Sequence, residues 1–159
     1  MKKEKNESYG HWCAKMIFLD WLRAAAKEAK NEYARLGKIE WAVNRGAPTY
    51  GVFEEYPIIA GMCQPWDEHN EWGKTETWPD YAWMKENYRG AFKIPDLAIT
   101  HKGVVSYVIE IVHKNDLSDD KFNFYCDLPI RPEVVVIPCQ WVLGQFERPS
   151  GIPSEFFIL

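Results

Sequence analysis

A chain of 159 residues with 47% apolar and 26% charged residues is sized for one domain with a buried core, and these fractions exclude a disordered chain. The formal net charge of −4 removes the globally basic signature common among nucleic-acid binders, though not a local basic patch. No apolar run approaches the roughly 20 residues of a membrane helix, and the opening MKKEKNES has no apolar stretch of a secretory signal, so a soluble cytoplasmic protein with no membrane partner is expected.

In chain order, about Ser8 to Leu36 predicts one long helix. Trp12, Met16, Leu19 and Arg23 follow a stripe with Cys13, Ile17 and Ala24 beside it, and Ala24-Ala25-Ala26 favours helix. Asn6 or Ser8 is suited to cap its start, and Gly37 to end it. Residues 50–60, YGVFEEYPIIA, predict a strand. Residues 61–90 predict a long insertion holding Trp66, Trp72, Trp78 and Trp83, with a short helix after Pro79. Residues 92–101 and 104–113 predict two strands joined at Lys102-Gly103. SDDKFNFYCD, from Ser118, predicts a capped helix, and EVVVIPC, from Glu133, a strand buried on both faces. The strand–helix–strand piece implies a right-handed crossover. The expected fold is α/β: a mixed central β-sheet flanked by helices, in a single domain over residues 1–159. Cys13, Cys63, Cys126 and Cys139 form no CxxC pair and read as core thiols.

Two acids interrupt the paired strands. Glu110 shares a strand face with Val104, Ser106, Val108 and Val112, and Asp96 with Ile94, Ala98 and Thr100. A hairpin turning at Lys102-Gly103 sets Asp96 opposite Ile109, one position from Glu110, so a bulge or twist is needed to bring the acids together. Two solutions remain open. Each acid meets its own arginine, backbone amide or solvent, or both share a divalent cation, for which oxygen ligands select Mg²⁺ or Mn²⁺.

Pro95-Asp96, with Glu110 fourteen positions on, resembles the signature of the PD-(D/E)XK nuclease superfamily. VIEIVHKNDLSDDKFNFYCDLPI resembles a branch with a strand ending in Glu-Ile, a nearby histidine and a DxxK-like helix. ESYGHWCAKMIFLDWLR, with Glu7, His11 and Lys15 every four residues on one helical face, is similar to the opening helix of the competence-protein CoiA-like members. The resemblance touches about residues 7–23, 50–60 and 92–140. It implies a restriction-endonuclease-like fold and Mg²⁺-assisted hydrolysis of phosphodiester bonds, in DNA ahead of RNA, with Asp96 and Glu110 holding the metal and Glu55 as a third ligand. The position two after Glu110, where the superfamily carries lysine, is Val112. Lys114 on the same strand face and Lys15 on the helix are the candidates for that role. His113 points to the opposite face of a regular strand and reaches the site only across a bulge.

Glu7, His11 and Lys15 read either as a nucleic-acid contact or as a solvated helix face. Trp72 and Trp78 are suited to stack bases and Lys74 and Arg89 to meet phosphates, while a satellite core or a protein-binding surface serves the tryptophans equally. The expected partner is nucleic acid, with a protein partner through the insertion and a homodimer as further expectations. The alternative function keeps the fold with an incomplete catalytic site, as a binder of nucleic acid or of a protein, such as a phage-type inhibitor of a host factor.

Overall fold

The computed structural model describes residues 8–30, 32–43, 51–60, 85–86, 91–101, 104–113 and 117–159. Glu7, Lys114, Cys63, the Lys102-Gly103 turn and, in the insertion, Trp66, Trp72, Lys74, Trp78, Trp83 and Arg89 lie outside them.

Helix α1 spans Tyr9–Glu28, and Ser8 caps it by accepting the His11 amide on its hydroxyl at 3.1 Å. Its buried face is Ala14, Lys15, Phe18, Leu19, Trp21, Leu22 and Ala25. The helix stops eight residues short of Leu36, where the sequence predicts its end. The chain instead forms an antiparallel hairpin, β1 (Tyr33–Leu36) and β2 (Ile39–Ala42), crossed by the Arg35–Glu40 ion pair at 2.8 Å. Ala34, Leu36, Ile39 and Trp41 point inward while Tyr33, Arg35 and Glu40 point out, so a period-two pattern overrides helix propensity. Gly37 lies at φ +59° in the turn, and a Cβ placed there would sit 2.8 Å from the Ile152 amide nitrogen. Gly37→Ala is expected to cost about 2 kcal/mol through the left-handed backbone and this approach, read as a lower urea midpoint at constant m-value.

The expected strand over 50–60 divides. β3 (Gly51–Glu54) joins the main sheet, whereas β4 (Ile58–Ile59) pairs with β5 (Phe92–Lys93). The break is at Glu55, whose φ of +52° turns the chain, with Glu55 N–H donating to the Asp96 carbonyl at 3.1 Å.

The main sheet is mixed, in the order β3, β6 (Leu97–His101), β7 (Val104–Val112), β8 (Glu133–Pro138). β3–β6 and β6–β7 are antiparallel, and β7–β8 is parallel across the crossover helix α2 (Asp119–Cys126). β8 is buried on both faces as its apolar run predicts. One core holds Leu97, Ile99, Ile109, Ile111, Val135 and Ile137 with α1, the β1–β2 hairpin and the short helix α3 (Cys139–Leu143). The opposite face gathers Ala98, Val105, Val108, Val134 and Val136 with Tyr56, Phe92 and Tyr125. Helices thus flank a mixed sheet. Cys139 is buried and Cys13 and Cys126 half-buried, all as free thiols. No helix among the described residues is long and apolar enough to cross a membrane.

Candidate functional site

The β6–β7 register shifts between Ile99 and Thr100. Thr100 pairs with Val105, but Ile99 pairs with Tyr107, which leaves Ser106 as the extra residue. The Ser106 hydroxyl donates to the Ile99 carbonyl at 3.1 Å and secures the bulge. Beyond it Leu97 faces Ile109, so Asp96 comes level with Glu110. The hairpin therefore carries the correction that the two acids need in order to meet, and the Asp96 amide lies 3.4 Å from Glu110 Oε1.

Around these acids is a pocket of about 300 Å³, lined by Ser8, His11 and Lys15 of α1, Glu55, Ile94 to Asp96, Glu110 to His113, and Leu117, Ser118 and Lys121 at the start of α2. The capping serines of α1 and α2 both line it, so the positive ends of two helices meet there. Of the sequence-predicted residues, the fold brings Asp96, Glu110, Glu55, His11, Lys15 and His113 together in this one cavity. His113 reaches it from the α1 side of the sheet, the side of Ile109 and Ile111, because the start of α1 also lines the cavity. Its Nε2 is hydrogen-bonded to Ser8 Oγ at 2.7 Å. Lys15 is almost wholly buried, so the face that carries it is not a solvated one.

Asp96 Oδ2 accepts the Ile111 amide at 2.8 Å and lies 3.3 Å from His11 Nε2. The same nitrogen donates to the Ile111 carbonyl at 2.7 Å, which ties the first turn of α1 to the end of β7. Glu110 is buried, and both of its oxygens are engaged. Lys121 Nζ lies 3.3 Å from Oε1 and 3.2 Å from Oε2, and the Tyr125 hydroxyl donates to Oε2 at 2.7 Å. Burial pushes the Glu110 carboxyl up to about 7. The Lys121 charge opposes that shift, the Asp96 charge adds to it, and the Tyr125 and Lys121 hydrogen bonds oppose it. Burial, followed by the Glu110 charge, holds Tyr125 well above the usual phenol range, so it stays a donor.

Lys121 and Tyr125 were not singled out by the sequence reading. They stand four residues apart on α2, and the crossover lays that helix over the sheet face that carries Glu110. That spacing, with the face assignment of Glu110, is the signal that finds them.

Asp96 and Glu110 supply hard oxygen donors of the kind that suit Mg²⁺ or Mn²⁺, and Glu55 lines the same cavity. Among the described residues no group of three or more His, Cys, Asp and Glu side chains gathers to hold an ion, so the two acids would need water or a substrate phosphate to complete a coordination shell. Comparison with known protein families, with curated proteins and with solved structures finds no match to this chain.

Proposed function

We propose that the chain is a metal-dependent nuclease with a restriction-endonuclease-like fold of PD-(D/E)XK type, acting on DNA ahead of RNA. The observation that carries this reading is the bulge-corrected register, which brings Asp96 and Glu110 into one cavity with lysine and histidine side chains and two helix N-termini. The order α1, β3, β6, β7, α2, β8 supports it as well. Asp96 and Glu110 would hold Mg²⁺ or Mn²⁺, which when bound polarises a phosphate and lowers the pKa of an attacking water. Asp96 is oriented for this by the Ile111 amide and His11, and Glu110 by Tyr125. With Val112 where the superfamily carries lysine, Lys121 is the cation on the second acid among the described residues, while Lys15 adds positive charge from α1. The two helix N-termini and the lysines suit a phosphodiester anion.

The test is cleavage of supercoiled and single-stranded DNA, and of RNA, with Mg²⁺, Mn²⁺ or a chelator. Metal-dependent cutting by the native chain that disappears in Asp96→Ala is the expected result. Cutting that survives in Asp96→Ala, or no cutting with either ion, rejects the reading.

A second reading is favoured by one observation: the Glu110 oxygens already carry Lys121, Tyr125 and the Asp96 amide. A carboxylate so satisfied is compatible with a nuclease-fold protein that binds nucleic acid or a protein partner without cutting. Oligonucleotide binding indifferent to metal, without cleavage, is the result that selects it.

A further inference from the structure

Lys121 occupies a position that helix energetics disfavour. It lies in the first turn of α2, three residues after the capping Ser118, whose hydroxyl accepts the Lys121 amide at 3.3 Å. A cation there opposes the positive end of the helix dipole. The neighbouring Asp119 and Asp120 suit that end, and Asp120 also pairs with Lys93 on β5. What holds Lys121 inward is Glu110. The ammonium bridges both oxygens of a carboxylate that has almost no exposure of its own. Tyr125, one turn further along the same helix face, holds Oε2 independently. Removing the ammonium therefore leaves Glu110 still oriented, with one donor fewer and one positive charge fewer beside it.

We propose that Lys121 is a built-in counter-ion that occupies Glu110 in place of a divalent cation, so that the lysine and the metal hold this carboxylate in turn. The inference rests on reading the pocket as a metal-dependent nuclease site, and it runs opposite to a purely supporting role. A lysine that helped to assemble a metal site would strengthen metal binding. A lysine that competes for the ligand weakens it, and is released toward the cavity when the ion arrives. A released ammonium would stand beside the bound phosphodiester, adding to Lys15 a second cation in a site where Val112 stands at the superfamily's lysine position.

Calorimetric titration with Mn²⁺ alone, at alkaline pH so that the proton does not compete for Glu110, separates the two. Lys121→Met is expected to bind Mn²⁺ at least about ten-fold more tightly than the native chain, because one positive charge beside a divalent ion is gone. Lys121→Arg, which keeps the charge, is expected to bind like the native chain. Mn²⁺ binding by Lys121→Met alone would also support the exchange and would move the function to the second reading. Equal or weaker binding by Lys121→Met, with the native chain binding, overturns the exchange and leaves the nuclease reading standing. Absence of binding in both overturns the two together. Should Lys121→Met fail to fold, amine labelling of the native chain decides. Mg²⁺ is expected to speed acetylation of Lys121 several-fold relative to Lys27 on the far end of α1, and an unchanged or slower rate overturns the proposal.

Discussion

Glu110→Gln is expected to make the fold more stable at alkaline pH while removing metal-dependent cleavage. The carboxyl titrates at about 7 in the folded chain, against 4.5 for the unfolded group. Between these values the folded chain holds a proton that the unfolded chain has released. By linkage, the contribution of Glu110 to stability is greatest below 4.5 and is lost as pH rises from there through about 7. A gap of this size is worth on the order of 3 kcal/mol for so buried a group once pH exceeds its folded value. Glutamine keeps the shape and a hydrogen-bonding oxygen for Tyr125 but carries no charge to desolvate. Denaturant midpoints measured from about pH 5 to about pH 9 should therefore fall for the native chain and stay nearly level for the variant. A parallel fall in both would show that Glu110 is not the source. A divalent ion favours the ionised form, so Mg²⁺ should flatten the native profile and leave that of Glu110→Gln unchanged. The acid thus costs stability at the pH where the site would use it, a common trade where a ligand must be charged in a dry pocket.

The parts of the molecule legible in the sequence are those where a strong pattern has one solution. The apolar run of β8 can only be a doubly covered strand, and the Ser118 cap followed by two acids marks the start of α2. Asp96 and Glu110 were visible as acids beside core-facing strand residues, and even the need for a bulge followed from the hairpin register, although the expected 92–101 strand divides into β5 and β6 and leaves Asp96 just ahead of β6. Elsewhere one residue serves two structures. Gly37 at positive φ suits the end of a helix as well as a hairpin turn, and four-residue strands give alternation too little length to outweigh the alanine run before them. Strands of two residues, as in β4 and β5, carry no period at all. Lys121 escaped for a different reason. Its part depends on which sheet face α2 covers, and crossover geometry sets that, not any feature within SDDKFNFYCD. His113 keeps to the side that strand alternation assigns it, the α1 side of Ile109 and Ile111, and reaches the cavity because the start of α1 lines it too.

Tyr125→Phe is expected to remove the shortest hydrogen bond to Glu110 and little else. The ring is wholly buried among Val108, Val134 and Val136, so phenylalanine keeps the packing. The lost bond, 2.7 Å to Oε2, is made to a buried carboxylate, and its removal should cost about 1–3 kcal/mol where Glu110 is ionised. The cost should shrink below pH 4.5, where the folded and unfolded carboxyls are both neutral. Because the Tyr125 hydrogen bond lowers the Glu110 value, its absence moves that value further up. Metal binding and cleavage both need the ionised form, so the acid limb of the pH–rate profile should shift to higher pH by roughly one unit. That limb distinguishes two roles a stability measurement alone would confuse. A residue that only fills space leaves the limb in place when it is altered. A residue that orients the carboxylate moves it, and raising the pH then restores the rate of Tyr125→Phe toward that of the native chain, whereas no pH restores Glu110→Gln.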